Sequence, residues 1–282
     1  MNKTDFYYQA RAVKNIPSLI KWTGSKRSQV SMISGVMPPY KKYIEPFLGS
    51  GAMLFSAGYP GSIGGDVYAP LIDLWNLVKK DPQTVIEDYK ENWDQLQSNL
   101  PGHFYVIRDR FNKAPNPLDL SFLMRTCVNG IVRFNKDGLF NNSFHLSRKG
   151  MLPEMFSRNV KAWNIVIKDI EFVCQDYAIT LEQATKDDFI YLDPPYSCNK
   201  QRYVQDLDVD RLWSELNRLN SIGVKWALSF DGSRGTDNYE YDIPRELYKY
   251  SLMIKSGNSA VDKVLNGPIK EVHERLYLNY TI

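Results

Sequence analysis

The sequence predicts an α/β fold whose strand–helix alternation is interrupted by a mainly helical insert carrying a β-hairpin. Three observations carry this. Residues 42–66 read as strand, Gly-containing turn, helix start and second strand. From about 81 to 159 the alternation gives way to capped segments with helical spacing. After about 165 short apolar runs return. At 282 residues and 43% hydrophobic content, the chain suits one core domain with an inserted module. The expected division is a core of residues 1–80 and 160–282 around an insert of 81–159.

In order, residues 42–47 form the first strand, Leu48-Gly49-Ser50-Gly51 the turn, and residues 52–55 a helix start. Residues 62–66 form a second strand with Asp66 at its tip, 21 positions after Glu45. Such a unit suits a nucleotide: the glycines admit close backbone approach, and an acid after the next strand accepts from ribose hydroxyls. No G-x-G-x-x-G is present, so a dinucleotide is not favoured. Asp81-Pro82 opens a helix, Pro101-Gly102 separates it from the next, and Asn116-Pro117 opens a third, with Asp119 near its positive end. Leu120, Leu123, Met124 and Cys127 follow at core spacing. Asp137-Gly138 within residues 130–144 is a hairpin signal, and Arg133, Asn135, Asn141 and Asn142 are side chains able to read base edges. Residues 170–174 make a strand ending near Asp176-Tyr177. Asp208 caps a helix carrying Leu212, Leu216 and Leu219, and residues 224–230 make a further strand. Residues 247–254 and 271–280 are expected to pair antiparallel at the sheet edge.

The most informative segment is Asp193-Pro194-Pro195-Tyr196, after the apolar run of residues 189–192. A buried strand ending in an acid and two prolines presents a carboxylate, carbonyls without competing N–H donors, and an aromatic face. That set suits a flat base whose exocyclic amine is held at both hydrogens. Lys3, Arg11, Lys14, Lys21, Lys26, Arg27, Lys41 and Lys42 face only Asp5 within residues 1–42. Arg125, Arg133, Lys136, Arg148, Lys149, Arg158 and Lys161 face Asp137 and Glu154 within 125–161. Two basic stretches on a chain of net charge +3 read either as a polyanion footprint or as solvated faces. Cys127, Cys174 and Cys198 and His103, His145 and His273 lack metal-ligand spacing, so no metal is expected, and a reducing cytoplasm is the simplest home. No run reaches membrane-span length and the N-terminus lacks a signal-peptide pattern.

Lys21-Trp22-Thr23-Gly24-Ser25-Lys26, then residues 45–51, then Asp66, then Asp193-Pro194-Pro195-Tyr196, in this order, resemble the Dam family of D12-type DNA adenine-N6 methyltransferases. The resemblance runs from about residue 19 to 280. Residues 110–144 resemble the recognition region of Dam and of the EcoRV modification methylase. It implies a Rossmann-like sheet binding S-adenosylmethionine and an inserted target-recognition domain acting on double-stranded DNA by base flipping. It implies cofactor contacts from Trp22, Lys26, Glu45, Pro46, Phe47, Gly49, Gly51, Asp66, Asp176, Tyr177 and Asp193. Asp193, Pro194, Pro195 and Tyr196 would form the catalytic set, and Lys14, Arg133, Asn135, Asn141, Asn142 and Ser143 would meet DNA. A bacterial or phage protein acting as a monomer is the default; a restriction endonuclease partner and a solitary role both stay open. Asn142-Ser143 and Leu228-Ser229-Phe230 depart from the family pattern. Cytosine N4, RNA adenine or a protein amide remain alternative targets, and a silent DNA-binding relative and a dehydrogenase-like enzyme are alternative classes. On this reading Asp193→Ala abolishes methylation while folding and duplex affinity stay near wild type.

Overall fold

A computed structural model describes residues 7–11, 18–147, 150–195, 207–234, 237–239, 243–258 and 271–282. One sheet organises them. Its parallel part comprises β1 (Tyr43–Glu45), β2 (Ile63–Asp66), β3 (Glu171–Cys174), β4 (Phe189–Leu192) and β5 (Lys225–Arg234). The short β6 (Asp237–Tyr239) pairs with β5, and β7 (Tyr250–Asn258) and β8 (Glu271–Leu278) complete the sheet antiparallel. The order is β3-β2-β1-β4-β5-β8-β7. The two C-terminal runs pair as expected, with β8 between β5 and the edge strand β7. This is the Rossmann-like sheet expected from the sequence. The chain leaves β1 toward β2 and β3, and returns on the other side as β4 and β5. The order therefore reverses between β1 and β4, and a crevice opens beyond their C-terminal tips.

Strand alternation divides the core in two. Tyr43, Phe189 and Tyr191 face one buried cluster, and Ile44, Ile190 and Leu192 face the other. The second face is covered by α8 (Tyr177–Glu182) and α9 (Val209–Ser221), whose Leu212, Leu216 and Leu219 are buried. The first is covered by α1 (Val30–Gly35), α2 (Ala52–Ala57) and α3 (Ala69–Lys80).

The helical stretch follows its caps. The Asp81 carboxylate accepts from Thr84 N–H at 3.1 Å at the start of α4 (Pro82–Ser98), and α5 (Gly102–Lys113) follows. The Asn116 side chain accepts from Asp119 N–H at 2.9 Å at the start of α6 (Pro117–Thr126). Asp119 itself is buried against Arg110. α7 (Pro153–Val166) runs across residue 159. These helices do not build a core of their own. Tyr89, Phe104, Phe122, Phe156 and Trp163 join the same buried cluster as Leu54, Trp75 and Phe189. Arg125, placed by its sequence in a basic stretch, is buried instead. Its guanidinium donates to the Ser18 and Leu19 carbonyls, tying the N-terminal segment to α6, and burial pulls its pKa down to about 10. No helix among the described residues is long and apolar enough to cross a membrane.

Candidate active site

The crevice beyond β1 and β4 holds a cavity of about 180 Å³. It is lined by Trp22, Lys26, Glu45, Pro46, Phe47, Gly49, Asp66, Asp176, Tyr177, Asp193 and Pro195. Gly51 lies just outside, at the start of α2. The turn after β1 needs its glycines. Gly49 and Gly51 sit at φ +46° and +62°. A Cβ would stand 2.9 Å from Trp22 Cδ1 at Gly49 and 2.8 Å from Trp75 Cζ2 at Gly51. The indoles therefore pack against bare backbone.

At one end stand the carboxylates of β1 and β4. Lys26, 4% exposed, places Nζ 2.6 Å from Asp193 Oδ1. Glu45 lies beneath and accepts from the Tyr43 hydroxyl at 2.8 Å. Burial pushes the Glu45 carboxyl well above the usual carboxylate range; Asp193 adds to this, while the Tyr43 bond and Lys26 oppose it. The sign of a pH effect follows. The folded chain binds this proton more readily than the unfolded chain, so stability falls as pH rises from the ordinary carboxylate range through the raised value, by up to about 1.4 kcal/mol per pH unit. Glu45→Gln should flatten that fall. Urea midpoints measured from about pH 4 to about pH 8 should match wild type at the acid end and exceed it at the other. Parallel curves would mean an ordinary Glu45.

At the other end, the Asp66 carboxylate accepts from Gly49 N–H at 3.2 Å and Tyr68 N–H at 3.0 Å. Burial raises its pKa and these backbone donors offset part of the rise. Phe47 and Tyr177 stack with centroids 5.1 Å apart. The buried Tyr177 hydroxyl has no partner among the described residues, and burial pushes its pKa up to about 12. Asp176 caps α8, accepting from Ala178 N–H at 2.9 Å. It also receives both terminal nitrogens of Arg211, at 2.7 and 3.0 Å. Arg211, Tyr68, Leu207 and Phe134 line the cavity without having been singled out by the sequence. Arg211 sits at the start of α9, where the residue pattern signals only an exposed helical face.

The expected hairpin is present in reduced form. Its arms meet through isolated bridges at Phe134–Phe140 and Cys127–Phe144, and Gly138 sits at φ +75° in the turn. Arg133 is exposed, and its Nε donates to Asn141 Oδ1 at 2.9 Å. Ser143 is exposed beside them. One assignment changes, and a second residue gains a structural role. Asn142 is buried, and its amide donates to the Val128 and Ile131 carbonyls at 3.0 and 2.8 Å, so it ties the hairpin base and cannot reach a base edge. The Asn135 side-chain carbonyl is taken by Asp137 and Leu139 N–H at 3.0 and 2.9 Å, so it shapes the turn. Phe134 points inward and meets Tyr68 edge-on at 5.4 Å. One hairpin arm thus carries an outward arginine next to an inward cavity residue.

Phe230, where the sequence departs from the pattern it resembles, is buried edge-on against Trp213 at 5.5 Å, while the Ser229 hydroxyl lies 2.7 Å from that of Tyr191. Pro194 is buried at the β4 tip. Tyr196, Lys14 and Cys198 lie outside the described residues. Among the described residues no cluster of His, Cys, Asp or Glu is placed to hold a metal.

Comparison with known proteins gives a consistent family. Residues 22–249 match the D12 class N6 adenine-specific DNA methyltransferases. The type II methyltransferase M.MjaIII of Methanocaldococcus jannaschii is 29% identical over 302 aligned residues, covering 94% of this chain and 99% of that one. A DNA adenine methylase of Vibrio cholerae is 31% identical over 189 residues, covering 66% and 67%. One of Haemophilus influenzae is 34% identical over 185 residues, covering 63% and 63%.

Proposed function

We propose residue roles for this chain from the premise that it belongs to the D12 class N6 adenine-specific DNA methyltransferases. It is an adenine-specific DNA methyltransferase. The methyl donor in this reading is S-adenosylmethionine, and the cavity suits it. Asp66 offers acceptors for ribose hydroxyls, Asp176 for an exocyclic amine, the Phe47–Tyr177 rings a face for a purine, and the unpartnered Tyr177 hydroxyl a polar contact. When bound, the donor supplies a sulfonium methyl that is already electrophilic.

The chain's own task is then to position the target amine. The N6 lone pair of adenine is delocalised into the ring. Asp193 accepts one N6 hydrogen bond and the Pro194 carbonyl the other, which favours a tetrahedral nitrogen aimed at the methyl; after transfer the surplus N6 proton passes to the Asp193 carboxylate and from there to solvent. Reaching this tip requires the adenine to leave the duplex stack. Residues 81–159 carry the target-reading hairpin, with Arg133 in the major groove; the likeness to the EcoRV modification methylase belongs to the same proposal. A cytoplasmic monomer meeting each strand in turn completes the reading.

The observation that carries it is the convergence of Asp193, the glycine turn and Asp66 on one cavity at the strand-order reversal. The test is long-read sequencing of DNA treated with purified protein and S-adenosylmethionine. N6-methyladenine confined to one short motif is expected; unmodified DNA despite donor binding would overturn it.

Arg133→Ala should relax discrimination at a single base pair, by about 1–3 kcal/mol. Methylation rates on a set of single-base-pair variants of the site check this. A uniform loss across all of them would mean a phosphate contact instead.

A further inference from the structure

We propose that Glu274, far from every motif, is a positioning residue that orients Asp193 through Lys26. Among the described residues the Lys26 ammonium meets the Gly24 carbonyl at 3.2 Å, Asp193 Oδ1 at 2.6 Å and Glu274 Oε2 at 3.4 Å. Glu274 is itself fixed, since the buried Gln29 amide donates to the same Oε2 at 2.7 Å. Gln29 stands immediately before α1, and Glu274 lies on β8, opposite Gly232 of β5 and Ile254 of β7. The antiparallel end of the sheet thus reaches the tip of β4.

A lysine with one carboxylate partner can swing on a flexible four-carbon stem. These acceptors together hold Nζ in place, and a held Nζ holds Asp193 Oδ1 where it stands. Sharing the ammonium between two carboxylates also leaves Asp193 richer in electrons than a one-to-one pair would. A structural salt bridge needs only one acid. A second acid beside the same lysine brings two like charges together, and the Gln29 donor offsets this. The inference rests on the reading of Asp193 as acceptor of the target amine.

The experiment is single-turnover methyl transfer to a cognate duplex by Glu274→Gln, with donor and duplex affinities measured by calorimetry. Transfer should fall about tenfold or more while both affinities stay within about threefold, because misplacement of a reacting group acts on the chemical step. Glu274→Asp should recover part of the rate. In a Lys26→Met background the Glu274→Gln change should add nothing, since its effect passes through Lys26. Should Glu274→Gln fail to fold, Gln29→Leu, which removes the anchor and keeps both charges, carries the test with the same expected loss. Parity of the folded variant with wild type would overturn the inference, as would an undiminished loss in the Lys26→Met background. Wild-type protein that binds donor and duplex but forms no N6-methyladenine would instead overturn the reading of Asp193 itself.

Discussion

Asp193→Asn should lower methyl transfer by about a hundredfold to a thousandfold while the chain stays folded and keeps its affinity for duplex. Asn preserves the shape of the β4 tip but removes the negative charge and turns one acceptor into a donor, which would point at an amine already carrying its own hydrogens. Single-turnover incorporation of labelled methyl, with circular dichroism and duplex binding alongside, measures it. Transfer within about tenfold of wild type would remove Asp193 from the chemistry, because an essential acceptor is worth more than that. The amide is the better probe. Seen in sequence alone, Asp193→Ala is a clean test of catalysis, but the ion pair changes this. Alanine would take away the acceptor 2.6 Å from Nζ of Lys26, which is 4% exposed, whereas asparagine keeps a side-chain oxygen there. Removing one partner of a buried pair costs about 3–5 kcal/mol; Asp193 is 20% exposed, so a smaller penalty is expected here. A dead alanine variant would therefore mix lost chemistry with a weakened site.

The same contrast marks what the residues disclose before folding. The tip of β4, the glycine turn and Asp66 are readable because each is a local pattern: an apolar run, then the residue types that such a tip or turn requires. The helix starts at Asp81, Asn116 and Asp208 are readable for the same reason, since a cap bonds within its own first turn. Arg211 and Glu274 are not. Asp176 is 35 residues from Arg211, and Lys26 is separated from Glu274 by nearly the whole chain, so no spacing rule connects them. Asn142 was open to misreading because a polar hairpin residue can face either water or the hairpin's own base. The Phe134–Phe140 bridge sets the exposed Arg133 opposite the exposed Asn141, and alternation from that pair turns Asn142 inward opposite the buried Val132; the pairing register that decides this is settled only when the arms meet. The helical stretch shows the limit of periodicity. It says that each helix has an apolar face, not which neighbour the face meets.

That limit makes Trp163→Ala the informative stability variant. Trp163, on α7 and 1% exposed, has its ring 5.5 Å from Phe55 of α2 and 5.0 Å from Trp75 of α3. Trp75 in turn stacks on Phe172 of β3 at 5.5 Å and stands against Gly51. Two indoles in contact therefore join the helical stretch, the sheet and the back of the glycine turn. Removal of the Trp163 ring should cost about 3–5 kcal/mol, a large part of the stability of an ordinary domain. Trp163→Phe should recover much of the loss, since a smaller ring leaves a smaller cavity. Wild-type and variant chains should each unfold in one transition, with far-ultraviolet dichroism and tryptophan fluorescence coinciding, because the buried cluster is continuous from Leu54 to Phe156. The donor's affinity should fall with stability, since Trp75 loses its support behind the turn. Two separate transitions, the helical stretch melting first and donor binding intact, would mean that residues 81–159 fold as an independent reader. One transition means the opposite: Arg133 and Asp193 are carried by a single packed body, and whatever opens the duplex toward the β4 tip must come from deformation of the DNA rather than closure of one domain on another.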